Sequence, residues 1–263
     1  MTVIDPKASP TLLTGEQISQ QFSRELLSNE KALEYVNERG IKKELIEQGR
    51  MGFCPPYSRH WFPLLKGRII VPIRDVHGTI IAFAGRKYEA MQELTHNALW
   101  DAFGHEPAQA KDKIDKWNKG KWINEPYPKQ RHLFNLYEGK EIIRKRNYIN
   151  LVEGYLDALV LSSKNMGNTA AICGTALSQY HVALIKRYCD HVVLMLDADD
   201  AGEQAVIRSK PIIEEADLKL HVVYLPKGYD PDEFVLKYGS KQLRLGIEQM
   251  IVDNTEELKI KVA

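Results

Sequence analysis

VVLMLDADDAGEQA, residues 192–205, decides the fold. An apolar, β-favouring run drives into three aspartates within four positions, Asp197, Asp199 and Asp200. Small and polar residues with helical spacing follow. A buried strand that ends in acids and turns directly into a helix is one unit of an open parallel sheet. In such sheets ligands bind beyond the carboxyl ends of the strands, where these acids would lie.

The same rhythm surrounds it. YINLV (148–152), TAAIC (169–173), HVVLML (191–196) and LHVVYL (220–225) read as strands. YLDALVLSSKN (155–165), SQYHVALIKRY (178–188) and AGEQAVIRSKPIIEEA (201–216) read as helices, the last bending or restarting near Pro211. The alternation predicts an α/β fold with a four-stranded parallel sheet flanked by helices. After the first strand come Glu153 and Asp157, and after the last come Asp230, Asp232 and Glu233. Three strand ends thus deliver carboxylates to one edge. Acids there also cap helix N-termini, which is the ordinary reading for Asp200 alone. Together they would repel unless a hard divalent cation shared them, and Mg²⁺ takes carboxylate oxygens, waters and substrate phosphates. CGTAL (173–177) follows the second strand, is small and neutral, and leaves room for a ligand.

Upstream the pattern changes. Residues 1–27 read as a lead, disordered over 1–14, and 28–146 as an α+β subdomain. SNEKALEYVNERGI (28–41) is a capped amphipathic helix with Ala32, Leu33, Tyr35 and Val36 on its apolar face and Gly40 at its stop. RIIVPIRDVHGTIIAFAGR (68–86) is a hairpin about the turn-forming Asp75–Gly78. Residues 147–250 form the parallel-sheet domain, and 251–263 a tail.

The 263 residues are 44% hydrophobic and 27% charged, an ordinary globular balance. No apolar run approaches 18 residues and the N-terminus has no signal-peptide core, so the expectation is a cytoplasmic protein that does not meet membrane. Cys54, Cys173 and Cys189 form no CxxC pair, which argues against a zinc ribbon or a disulfide framework. Net charge is +1, but it is split: 24 Lys and Arg against 18 Asp and Glu up to residue 146, then 12 against 17. A basic half that attracts polyanions precedes an acidic half that holds cations.

Four motifs in order, LVEGYLDAL (151–159), CGTAL, LDADDAGEQA (196–205) and LPKGYDPDEF (225–234), resemble the TOPRIM domain of DnaG-type bacterial and phage primases. The hairpin, KWINEP (121–126), KQRHLFNLYEG (129–139), ALEYVNERGI (32–41) and GRMGFCPP (49–56) resemble the basic polymerase subdomain of the same family, so the likeness runs over about residues 30 to 240. It implies primer RNA synthesis on a single-stranded DNA template from ribonucleoside triphosphates, with Mg²⁺ or Mn²⁺ and no zinc. By position, Glu153, Asp197 and Asp199 match the family's core acids, with Asp157, Asp230 and Asp232 in the metal cluster. Arg68, Arg86, Lys121, Asn124, Lys129 and Arg131 fall on its nucleic-acid and nucleotide contacts. Trp122, beside Lys121, is expected to stack on bases, whereas Trp61 and Trp100 are expected to pack. His60, His77 and His132 lack ligand spacing. The family's zinc domain and helical extension are expected to have no counterpart, and the resemblance then implies a replicative helicase or a zinc-bearing protein as partner and a phage or mobile-element origin. The stretch 88–120, longer than the family's, and the tail 251–263 are the expected docking surfaces. A metal-dependent nuclease and a non-catalytic DNA- or helicase-binding module are the alternatives.

Overall fold

A computed structural model describes residues 13–56, 58, 63–88, 120–174, 176–195 and 200–260, the side chains of residues 63, 200 and 201 excepted. The described residues begin with a helix where the sequence reading placed a lead. Thr14 caps α1 (Gly15–Ser28): its hydroxyl accepts from Gln17 N at 3.2 Å, and the Gln17 side chain accepts from Thr14 N at 2.8 Å. Phe22 and Leu26, four residues apart, are buried. The Ser19 and Ser23 hydroxyls donate to the Gly49 and Met51 carbonyls at 2.7 and 2.9 Å. The segment's glutamines and serines hid this apolar stripe.

Helix α2 (Glu30–Glu38) is capped by Asn29, whose Oδ1 accepts from Ala32 N at 3.0 Å. After α3 (Lys43–Glu47) comes an antiparallel sheet of β1 (Gly52–Cys54), β2 (Arg68–Arg74), β3 (Ile80–Arg86) and β4 (Trp122–Asn124), paired in that order. The expected hairpin is β2–β3. Asp75 shapes its turn by accepting from His77 N and Thr79 N at 2.9 and 3.0 Å, and Gly78 adopts φ +93°.

Helix α4 (Leu136–Arg146) leads into the second sheet. Its strands β5 (Tyr148–Val152), β6 (Thr169–Ala171), β7 (His191–Leu194) and β8 (Lys219–Tyr224) are parallel and joined by α5 (Tyr155–Ser163), α6 (Gln179–Ile185) and α7 (Asp200–Glu215). Helix α7 continues through Pro211. Beyond α8 (Pro231–Tyr238) and α9 (Lys241–Val252) the predicted four strands become five: β9 (Glu257–Lys259) pairs parallel with β8, giving the order β6-β5-β7-β8-β9. The expected tail is therefore sheet edge over these residues. Strand β9 has one apolar residue, Leu258, and is recruited by its backbone, with Val222 N donating to Glu256 O at 2.7 Å and Ile260 N to Tyr224 O at 3.0 Å. Three residues are too few for a sequence period.

One apolar core crosses from the first sheet to the second, joining Leu26, Ile46 and Val71 to Tyr155, Phe234 and Leu243. A second, with Leu136, Ile143, Ile185 and Ile213, covers the other face of the parallel sheet. Of the expected docking stretch 88–120, residues 89–119 lie outside the described residues.

Candidate active site at the carboxyl edge of the parallel sheet

Strands β5, β7 and β8 are consecutive in the sheet. Glu153, residues 197–199 and the loop to Asp230 therefore follow, in sequence, neighbouring strands roughly 5 Å apart. Glu153 is half-buried, and its carbonyl accepts from Cys173 N at 2.9 Å, tying the ends of β5 and β6 together. Asp157 caps α5, with Oδ2 accepting from Gly154 N at 3.0 Å. Asp197 and Asp199 lie outside the described residues, as do Trp61, Trp100 and His60.

Asp230 is exposed at the N-terminus of α8. Asp232 is buried, its Oδ2 stands 3.9 Å from the Arg39 guanidinium, and its Oδ1 accepts from Glu233 N at 2.8 Å. Its charge is thus shared with Arg39 and the helix start. Among the described residues, which do not include Asp197 and Asp199, no three His, Cys, Asp or Glu side chains gather as a metal-binding group. The acids at this edge offer carboxylate oxygens, the donors that hard divalent cations take. Cys173, the thiol at the edge, is buried, and burial pushes its pKa up, away from the thiolate that a soft metal needs. Glu153, Ile172, Leu177, Arg208 and Ser209 line a cavity of about 380 Å³ beside the 173–177 loop, where room for a ligand was expected.

The basic residues separate into two groups. Arg68, expected at nucleic acid, is fully buried (0% exposed). Its guanidinium donates to Gly85 O at 3.2 Å, Lys121 O at 3.4 Å and Gly120 O at 3.0 Å, and burial lowers its pKa to about 10. It brackets the entry to β4 against the hairpin, its partners being a β3 carbonyl and the two carbonyls just before β4. Arg86 is also buried, with Nε donating to the Tyr35 hydroxyl and its guanidinium 5.6 Å from the centre of the Trp122 ring. Lys121 and Arg131 are exposed, while Asn124 and Lys129 are half-buried. Trp122, expected to stack on bases, is half-buried and packs 4.7 Å from the Tyr155 ring. His77 is exposed and His132 half-buried, and burial lowers the pKa of His132.

Replacing Arg68 by Ala should therefore act on the fold. Its carbonyl partners lose their donor, and the expected loss is about 2–3 kcal/mol of stability. An unchanged urea midpoint would contradict this assignment.

Sequence reasoning missed Tyr155. Two residues past Glu153, its hydroxyl donates to Asn124 Oδ1 at 2.8 Å and shares a 2.9 Å hydrogen bond with the Tyr127 hydroxyl. The Phe134 ring meets it edge-on at 4.9 Å, and burial pushes the Tyr127 and Tyr155 hydroxyl pKa values up, so both stay protonated. The sequence placed Tyr155 inside its motif but read it only as the start of a helix.

Glu125 was also missed. Its backbone N donates to Phe83 O at 2.9 Å, and its carboxylate accepts from Phe83 N at 2.8 Å, extending the β3–β4 ladder. Burial raises its pKa from 4.5 to about 7. The folded chain therefore holds a proton that the unfolded chain has released between these values. The resulting stability is complete below pH 4.5 and lost as pH rises through about 7, by at most about 3 kcal/mol. Glu125→Gln keeps the acceptor and should flatten the fall. Equal slopes of unfolding free energy against pH in the two proteins would refute it.

Residues 150–235 match a family profile described as Toprim-like. A DNA primase of Aquifex aeolicus is 30% identical over 259 residues, covering 87% of this chain and 47% of that protein. A DNA primase of Staphylococcus aureus is 28% identical over 247 residues, covering 81% and 37%. The crystal structure of the Aquifex aeolicus primase zinc-binding and RNA polymerase domains superposes with a TM-score of 0.69 at 30% identity, over 87% of this chain and 58% of that one. The chain is homologous to the catalytic core of DnaG-type primases. A structure of the DnaG primase catalytic domain bound to single-stranded DNA shares the fold, with a TM-score of 0.69 at 24% identity over 88% of this chain and 76% of that one. The chain spans less than half the length of these curated primases. At 87% and 88% of this chain, these structural likenesses extend across both sheets. No helix among the described residues is long and apolar enough to cross a membrane.

Proposed function

We propose that this chain is the catalytic core of a DNA primase, joining ribonucleotides into short primers on single-stranded DNA. The observation that carries the reading is the docking of the basic segment onto the acid edge: Asn124 bonds Tyr155 at 2.8 Å, and Lys129 Nζ donates to Cys173 O at 3.3 Å. Lys129 and Glu153 thus both engage the Cys173 backbone at that edge, one at its carbonyl and the other at its amide. Glu153 and Asp230, with Asp197 and Asp199 by family position, would hold Mg²⁺ or Mn²⁺. Asp157 and Asp232, also in the expected cluster, serve as a helix cap and as a partner of Arg39. A bound divalent cation would lower the pKa of the attacking 3′-hydroxyl and neutralise charge on the leaving pyrophosphate. Lys121, Lys129 and Arg131 bind the phosphates of template and nucleotide. The Tyr155 contacts keep that segment in register with Glu153. A replicative helicase or a zinc-bearing protein is the proposed partner.

The test is incubation with a single-stranded template, labelled ribonucleotides and Mg²⁺ or Mn²⁺, followed by sizing of products with and without chelator. The expected result is short, template-dependent RNA that chelator abolishes. Cleaved template in its place would indicate a nuclease, and binding without either product a non-catalytic module. Template affinity should fall steeply with salt as counterions are released. A flat salt response would remove the basic residues from the site.

A further inference from the structure

Residues 129–131 are held from one side by α6 and the loop before it. His181 is wholly buried, with Nε2 2.9 Å from Lys129 O. A carbonyl only accepts, so Nε2 carries the proton. Nδ1 is then bare and accepts from Ser178 N at 3.3 Å. Burial lowers the pKa of His181, which favours this neutral form. The Ser178 hydroxyl donates to Gln130 O at 2.6 Å and accepts from His181 N at 3.2 Å. Tyr180, 55% exposed, lies with its ring centre 4.6 Å from the Arg131 guanidinium. Two successive carbonyls and both cations of this short segment are therefore fixed by residues 173–181.

We propose that α6 is a positioning element for a phosphate-binding pair: His181 and Ser178 hold the backbone at residues 129–130, Tyr180 supports the Arg131 guanidinium, and Lys129 and Arg131 are thereby presented together to phosphate oxygens. The inference rests on the primase-core reading for the identity of those phosphates, which belong to a nucleotide or to a single strand. The physical reason is preorganisation. Lys and Arg lose much side-chain freedom when they bind an anion, and a backbone and guanidinium already fixed leave less to lose at that moment. Tyr180 explains itself in the same way, since an exposed ring against an exposed guanidinium limits its directions without neutralising it.

The experiment measures binding of inorganic tripolyphosphate and of a labelled oligothymidylate to the full chain across a salt series. Lys129→Ala, His181→Ala, His181→Gln, Tyr180→Ala and the Lys129→Ala/His181→Ala double variant are compared with the parent. His181→Ala and Tyr180→Ala should each weaken binding about tenfold, the worth of one good charged contact. The slope of log affinity against log salt should fall by about one per lost cation. His181→Gln should restore binding, because Ser-x-x-Gln is itself a capping box and its amide hydrogen can reach the Lys129 carbonyl. The double variant should bind no worse than Lys129→Ala, because His181 acts through Lys129. Weaker binding in the tripolyphosphate arm assigns the pair to a triphosphate, and in the oligonucleotide arm to a strand. Should His181→Ala fail to fold, Tyr180→Ala, changed only at the surface, still decides. The proposal is overturned if these variants lower the melting temperature yet keep affinity and salt slope, if the two losses add, or if the parent binds neither anion. Binding with the expected pattern but no template-directed product would sink the primase reading and leave the positioning role standing.

Discussion

Glu153→Gln is expected to leave a folded chain that makes no measurable primer, with a loss of about 10³-fold or more, the size seen when a catalytic carboxylate is neutralised. The tie from Glu153 to the β6 end runs through its backbone, where its carbonyl holds Cys173 N at 2.9 Å, so the substitution leaves the sheet edge in place. Removing one negative charge from an edge crowded with carboxylates relieves repulsion, and the melting temperature without metal should hold or rise. Asp197→Asn and Asp199→Asn should behave alike, since all three acids fall by family position in the one proposed site. Parent-level synthesis by Glu153→Gln, measured as labelled RNA per enzyme in Mg²⁺, would take Glu153 out of the chemistry.

Tyr155→Ala should do the most damage to architecture. The ring is 3% exposed and packs on Trp122 and Phe134 with centroids 4.7 and 4.9 Å away. Removing a buried aromatic of this kind costs about 3–5 kcal/mol. The hydroxyls of Tyr127 and Tyr155 and the amide of Asn124 form one chain, so the loss also loosens the basic segment from the acid edge. Tyr155→Phe separates the two effects. It keeps the packing and should cost only about 1–2 kcal/mol for the orphaned Asn124 oxygen, while nucleotide KM rises. Urea unfolding of both variants, beside nucleotide titration of Tyr155→Phe, provides the check. Unchanged stability in Tyr155→Ala would mean that the two sheets do not depend on this joint.

The sequence by itself determined the parallel-sheet half. Apolar runs, helical spacing and acids at strand ends are local, and the burial that selects them acts on the same few residues. The hairpin was legible for the same reason, since its turn chemistry lies between its own strands. Strand β9 was not, because a three-residue edge strand is selected by the unpaired backbone of β8. Helix α1 had its Thr14–Gln17 capping box and the Phe22–Leu26 spacing in plain view, but a stripe that narrow becomes meaningful only once the β1 surface that covers it exists. The basic residues show the limit most sharply. Arg68 and Arg131 both occupied matched basic positions, yet one is sealed under the hairpin on carbonyls and the other stands exposed over Tyr180. Residue type sets the charge. Only the tertiary structure decided which charges reach solvent, because burial is a property of the elements that pack on a residue and those come from distant parts of the chain.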